Sequence, residues 1–347
     1  MNRPQFKPRG LATAIGSMPQ KSPEEACALV LKHLPEIPVW PQLPRRSFME
    51  NMYVQFSEGF PGVIVRQDRI YVDRSQNLDQ ALERLYRAYL ENNVEHYGIG
   101  PDYATGLHSF LSSELESATA VKGQVTGPVS FGLVVADQEQ RPIIYDPVLA
   151  DAAAKHLRLK AAWQEKMLRA ICPNTIVFVD EPYFASLGSP FISLTPEHVV
   201  AFLEEVFQGI EGLKGIHCCG NTDWSVLLST SLDILSFDAY NYGESLTLYP
   251  GEVKRFLERG GIIAWGIVPN DERALAEETV NSLLQRLRET MESLCHKGVD
   301  YDMLWERCLV TPSCGLGSLT TEGATKALQL LAALSQKLRT ERTYRTL

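Results

Sequence analysis

Short apolar runs alternate with longer stretches of 3.6-residue periodicity through most of the chain. TIVFVDEP (175–182), KGIHCCG (214–220), DILSFDAY (233–240), IIAWGIVP (262–269) and RCLVTPSCG (307–315) are runs of strand length. Runs that are apolar at successive positions, not only at alternate ones, predict strands buried on both faces of a parallel sheet. A helical pattern follows each of them, beginning near Thr195, Trp224, Pro250, Asp271 and Thr320. In the first half ATAIGS (12–17), PVWPQ (38–42) and ATAVKGQVTG (118–127) read as three further strands. SPEEACALVLKHL, LDQALERLYRAYLEN and DPVLADAAAKHLRLKAAWQEKMLRAI carry helical periodicity around them. VIVRQDRIYVD (63–73) has two alternating arms about a polar centre, which predicts a β-hairpin inserted in a loop.

Eight strands in strand–helix alternation predict an α/β fold, a (β/α)8 TIM barrel formed as one domain over residues 1–347. A doubly wound open sheet would need a glycine-rich phosphate turn after its first strand, and IGSMPQ is not G-x-G-x-x-G. In a barrel, chemistry gathers where the strands end at their C-terminal side. Ser17, Gln42, Thr126, Asp180, His217, Cys219, Asp238 and Cys314 occupy those ends.

Composition narrows the function classes. A formal net charge of −9 argues against general nucleic-acid binding. No apolar run reaches the roughly 18 residues of a membrane span. MNRPQFKPRG lacks the apolar core of a signal peptide, so a cytoplasmic location is the expectation. Seven cysteines at irregular spacing do not form a secreted disulfide framework. Cys27, Cys172, Cys295 and Cys308 lie in apolar surroundings and read as small core residues.

GIHCCGN is the densest chemical feature. Side chains alternate along a strand, so His217 and Cys219 share one face and Cys218 takes the other. Cys314 ends the last strand before Gly315, Leu316 and Gly317, a turn able to expose its sulfur. One imidazole and two thiolates suit zinc. Asp238, at the end of the sixth strand, is the candidate fourth ligand, with Glu244 behind it; the alternative role for Asp238 is a helix or loop cap. Three firm ligands and a weak fourth describe a catalytic site. Two cysteinates make the metal a poor activator of water but keep a bound thiolate nucleophilic, which favours alkylation of a small-molecule thiol over hydrolysis.

At these residues the sequence resembles the C-terminal catalytic barrel of cobalamin-independent methionine synthase, in the uroporphyrinogen decarboxylase / methionine synthase superfamily. The resemblance runs in order through ATAIGSMPQ, KGQVTGPVS (122–130), VDEP (179–182), His217-x-Cys219, DILSFD (233–238) and PSCGLGS. It covers a short core form without that family's N-terminal domain. It implies zinc at His217, Cys219, Asp238 and Cys314, and transfer of a methyl group to homocysteine to give methionine. It also implies that Ile15, Gly16, Ser17 and Asp180 hold the amino-acid part of the substrate. Gln42, ending the second strand, is added as a substrate contact from its position. Asp238 stands where the family has a glutamate. AWGIVPND lacks the family's proton-donating histidine, and SFGLVVAD lacks its folate-side tryptophan. The family's Arg-rich folate segment has no clear counterpart.

These departures all fall on the methylfolate side. His-Cys-Cys-Gly-Asn at 217–221 is similar to the H-x-CGN element of methylcobamide:coenzyme M methyltransferases. A methylcobamide donor such as methylcobalamin, carried on a separate corrinoid protein, is therefore expected. Coenzyme M is the less favoured acceptor, because its sulfonate wants a cation. A metal-free decarboxylase would leave His217, Cys219 and Cys314 unexplained, and a non-catalytic corrinoid-protein binder is the third alternative. His96 and His108 are candidates for the barrel mouth, and Tyr183, Tyr240 and Asn241 for the pocket rim or a corrinoid-facing surface. His33, His156 and His198 fall in helical stretches as surface or core residues.

Overall fold

The computed structural model describes residues 6–189 and 192–345; the first five residues, read above for a signal peptide, lie outside the described residues. Ten strands are present among the described residues: β1 (Leu11–Ala12), β2 (Val63–Arg66), β3 (Arg69–Val72), β4 (Val121–Thr126), β5 (Ala136–Asp137), β6 (Thr175–Asp180), β7 (Leu213–Cys218), β8 (Ile234–Phe237), β9 (Ile262–Val268) and β10 (Cys308–Pro312). Seven of them form one curled sheet in the order β1-β10-β9-β8-β7-β6-β4. Every pairing in it is parallel. The expected hairpin is there, with β2 antiparallel to β3, and β5 adds a third strand parallel to β3.

The first two expected strands are mostly not laddered. ATAIGS is strand only at its start, and residues 38–42 form isolated parallel bridges, Val39 with Lys122 and Gln42 with Ser17. Pro38 and Pro41 supply the reason, since neither has an N–H to donate. What remains is a sparse stitch. Lys122 N donates to Pro38 O at 2.9 Å and Trp40 N to Lys122 O at 3.3 Å. Gln42 N donates to Gly16 O at 3.0 Å and Met18 N to Gln42 O at 2.8 Å. The segment thus bonds to β4 on one side and to the chain just past β1 on the other, the two edges of the sheet.

Alternation sorts the side chains. Ile37, Ala120, Ile176, Phe178, Ile234, Ile262, Ala264 and Leu309 form one apolar cluster inside the curl. Val121, Val125, Val177, Val179, Ile216, Leu235, Phe237, Ile263, Trp265 and Val310 face the helices and join the larger core. The same parity turns Lys122, Gln124, Asp180, His217 and Ser236 inward.

The helix Pro147–Arg169 is capped by Asp146 and has proline at its first position. It buries three polar side chains spaced four residues apart. His156 Nε2 donates to Phe56 O at 2.8 Å, Lys160 Nζ to Gly98 O at 2.7 Å and Gln164 Nε2 to Gln124 O at 2.8 Å. Gln164 Oε1 also accepts from Trp40 Nε1 and Gln124 N, both at 2.9 Å. Irregular segments leave buried carbonyls without ladder partners, and this stripe supplies them. No helix among the described residues is long and apolar enough to cross a membrane.

The helix Thr105–Leu111 packs directly on the proline-rich segment. A Cβ added at Gly106 would meet Pro41 O at 1.9 Å, so helix and segment would have to part. Gly106→Ala should therefore destabilise the protein by about 1–3 kcal/mol, seen as a lower urea midpoint. An unchanged midpoint would show that residues 38–42 are free to move.

Candidate metal and thiol site

His217 lies on β7 between Asp180 of β6 and Ser236 of β8, its register partners. Its Nδ1 is 3.0 Å from Ser236 Oγ, and its buried Nε2 has no hydrogen-bond partner. A proton on Nδ1, donated to Ser236, leaves the Nε2 lone pair free for a metal, the usual arrangement of a ligating histidine. Cys219 follows on the same face. Cys218 points the other way, is fully buried, and donates to Gly220 O at 3.4 Å.

Cys314 reaches the same point from the far end of the chain. Strict alternation from Cys308, Val310 and Pro312 would send it outward. However, the β9–β10 register slips between Thr311 and Pro312, and β10 ends there. Leu316 N then donates to Ser17 O at 2.9 Å, and Gly317 N to Ser17 Oγ at 3.4 Å. This turn carries Cys314 inward. One ligand atom each from His217, Cys219 and Cys314 lie within 4.8 Å of one another.

The two thiols share a proton. The bond from Cys314 and the nearness of the His217 imidazole hold the Cys219 thiol well below the usual range, and the bond to Cys219 together with burial pushes Cys314 well above it. Soft donors held close, one of them ionised and one of them an orphaned imidazole nitrogen, fit a zinc-sized cation. The clustered donors number three. Asp238 is not among them. It caps the helix Ala239–Leu246, accepting from Asn241 N at 2.9 Å and from Asn241 Nδ2 at 2.7 Å. Both its oxygens are engaged there, although it lies close enough to feel the charges of His217 and Cys219.

A cavity of about 350 Å³ opens at the cluster. Ile15, Ser17, Gln42, Asp180, His217, Cys219 and Cys314 line it. Gly16 contributes backbone, through its carbonyl bond with Gln42 N. Gln42 itself is held by a 2.7 Å bond from Nε2 to Gln55 Oε1. Asp180 Oδ1 is buried without a hydrogen-bond partner, and burial pushes its carboxyl up to about 6 against the pull of Lys122 and His217. Its neighbour Glu181 faces away and is spoken for. It accepts from Val129 N at 2.9 Å and Ser130 N at 2.7 Å, capping the helix Pro128–Val134.

Glu50, Asn51, Met52, Asn270 and Ser318 also line the cavity and were not anticipated. Glu50 is the most consequential. It is buried, one oxygen accepts from Thr105 Oγ1 at 2.7 Å, and the other, Oε2, has no hydrogen-bond partner. Thr126, at the end of β4, fixes this stretch by donating to Met52 O at 2.7 Å. The only sequence signal was position, an acid in the loop after the second predicted strand. Asn270 Oδ1 accepts from Ser313 Oγ at 3.0 Å.

Other candidates fall outside the cavity lining. His96 is exposed, and His108 Nε2 bonds Ile99 O at 2.8 Å. Tyr240 donates to Glu278 at 2.9 Å under the guanidinium of Arg286, and Asn241 serves Asp238. Tyr183 is exposed just past β6. His156 is core, His198 is an exposed helix residue, and His33 is half-buried.

No family model matches the chain, and no curated protein matches it. Solved structures do. A B12-independent methionine synthase from Shewanella sp. W3-18-1, in complex with selenomethionine, is 17% identical with a TM-score of 0.60, over 96% of this chain and 99% of that one. A methyltransferase from Methanosarcina mazei is 14% identical with a TM-score of 0.55, over 90% of this chain and 86% of that one. At such identities the likeness is one of fold.

The shared proton has a measurable consequence. An ordinary thiol, with pKa about 8.5, is under about one per cent ionised at pH 6. In reduced, metal-stripped protein at pH 6, iodoacetamide should modify the Cys219–Cys314 pair while Cys218 and Cys308, whose thiols burial pushes up, stay unmodified. Peptide mass mapping reads this. Equal labelling of Cys218 would contradict the arrangement.

Proposed function

We propose that the chain is a zinc-dependent methyltransferase acting on a thiol, homocysteine, to give methionine, with a methylcobamide on a corrinoid protein as donor. One observation carries the reading. An unpaired imidazole nitrogen and two proton-sharing thiols converge within 4.8 Å in a cavity that also holds two carboxylates with free oxygens. His217, Cys219 and Cys314 would hold the ion. Zinc there would ionise a bound thiol and keep it nucleophilic. The fourth position is left to the substrate sulfur, with Asp238, whose oxygens accept from Asn241, as the alternative ligand in the resting enzyme.

The chain's own residues suit an amino-acid thiol. Asp180 and Glu50 offer their free oxygens to an α-ammonium group. The same two carboxylates disfavour a sulfonate such as coenzyme M. The fold shared with a B12-independent methionine synthase and with another methyltransferase agrees with methyl transfer. We further read the curled sheet as a (β/α)8 barrel whose second stave is the stitched segment 38–42.

The loop after β9 supports this choice of donor. The residue from that loop lining the cavity is Asn270, an amide that cannot protonate a leaving group at neutral pH. Methylfolate needs such a proton, whereas cob(I)alamin leaves without one. A metal-free decarboxylase, the second reading, has no use for the clustered thiols.

Protein purified reduced and zinc-replete should contain about one zinc per chain, and Cys314→Ser should lose it. Ser236→Ala, which removes the partner of His217 Nδ1, should weaken zinc binding about 10- to 100-fold in chelator competition. Incubation with methylcobalamin and homocysteine should yield methionine and the spectrum of demethylated cobalamin. Zinc-free protein after such purification would sink the reading, and methionine formed from methylfolate alone would sink the donor.

A further inference from the structure

Lys122 is a fully buried lysine on the inward face of β4, and the reaction above does not use it. Its Nζ donates to Ile15 O at 2.7 Å and to Gln124 Oε1 at 3.2 Å, and lies 4.3 Å from the centroid of the Phe178 ring. The oxygens it bonds are neutral. Around it the inner cluster is apolar, with Phe178 and Ile176 on the adjacent strand. Burying an ammonium among such groups is costly. Burial accordingly pushes its pKa down to about 7, against the pull of Asp180. An apolar side chain would fill the same space at less cost, so the charge calls for a reason.

The carbonyls of three consecutive residues supply it. Ile15 O accepts from Lys122 Nζ, Gly16 O from Gln42 N and Ser17 O from Leu316 N. Three separate parts of the fold therefore grip one short segment, two of whose residues, Ile15 and Ser17, line the cavity. Gly16 has φ +147°, and a Cβ there would meet the Gln124 side-chain amide at 2.7 Å. Gln124, in turn, donates from Nε2 to Trp40 O at 3.1 Å. Of the three grips only the one on Ile15 is made by a charged group, and a hydrogen bond from a charged donor is the stronger kind.

We infer that Lys122 is a positioning residue for the acceptor pocket: its ammonium holds the Ile15 carbonyl and so fixes the Ile15–Ser17 backbone against which the substrate rests. The inference rests on the function proposed above for the acceptor, for its seat against Ile15–Ser17 and for the zinc.

The test uses the full-length, zinc-loaded chain and two measurements. Hydrogen exchange of peptides spanning 13–18 is compared with that of peptides spanning 213–219, and homocysteine affinity is measured by calorimetry. In Lys122→Met, exchange over 13–18 should rise several-fold and homocysteine should bind about ten-fold more weakly, the loss of one charged hydrogen bond. Zinc content and exchange over 213–219 should stay at wild-type values, a split that general destabilisation would not give. Lys122→Arg, which keeps a charged donor, should recover part of the affinity. If Lys122→Met does not fold, Lys122→Gln is judged by the same two criteria. Exchange over 13–18 and affinity both within two-fold of wild type in a folded variant would overturn the inference. Wild-type protein that binds zinc but no homocysteine would instead refute the proposed acceptor, and exchange over 13–18 would then decide the role of Lys122 alone.

Discussion

Two thiolates crowded with an imidazole within 4.8 Å cannot both stay ionised unless a proton or a cation lies between them. The site is organised by that constraint. Cys219 and Cys314 meet it by dividing one proton unequally, and His217 meets it by turning Nδ1 to Ser236 and leaving Nε2 bare. Each solution depends on sheet register. A one-residue slip of β7 against β8 would remove Ser236 from His217 and turn the imidazole toward the helices. The slip that does occur, between Thr311 and Pro312, lies near the opposite edge of the sheet and ends the ladder just before Cys314. The sheet is regular where His217 and Cys219 share a face and irregular where Cys314 leaves its own.

Beneath the ligands the fold keeps its polar groups in order with a small set of side chains. Gln164, Gln124 and Lys122 link the helix Pro147–Arg169, the stitched segment and the end of the first strand into one hydrogen-bonded floor. Such networks hold a single arrangement when fully satisfied and are a liability otherwise. Gln164, Gln124 and Lys122 are each hydrogen-bonded in this floor, whereas two carboxylates of the cavity above it, Asp180 and Glu50, each keep a buried oxygen without a partner. At the cavity wall that unmet hydrogen-bonding capacity is placed where a ligand can meet it.

What could be read from the sequence follows the range of the physics involved. Alternation is local, so His217 and Cys219 were assignable to the site, and Cys218 and Glu181 away from it, from neighbours alone. The prolines at 38 and 41 were equally visible, but reading PVWPQ as an ordinary strand gave its apolar character more weight than its missing donors. Asp238 could not be resolved, because a carboxylate after a strand suits a metal and a helix N-terminus alike, and the engagement of both its oxygens with Asn241 is a matter of side-chain geometry. Glu50 was out of reach for a different reason. Its place in the cavity depends on Thr105, Thr126 and the 47–55 loop meeting in space, and no periodicity records that. The resemblance to cobalamin-independent methionine synthase supplied the expected roles of Ile15, Gly16, Ser17 and Asp180, and strand-end position supplied Gln42.

Cavity size bears on the donor. A space of about 350 Å³ admits an amino-acid thiol but not a corrinoid macrocycle. Under the function proposed above, a methylcobamide would have to stay outside and offer its methyl group at the opening, with the attacking sulfur held just within. That geometry suits a donor carried by another protein, because the carrier and not the pocket would orient the ring. It also fits the chemistry of the rim. Asn270, tied back to Ser313, can donate a hydrogen bond but not an acidic proton, so it can stabilise an approaching donor without being required to protonate the group that leaves. The acceptor side is built deep, with paired thiols, buried carboxylates and a charged floor. A donor that delivers a methyl group from the opening and departs unprotonated asks little of the wall around it.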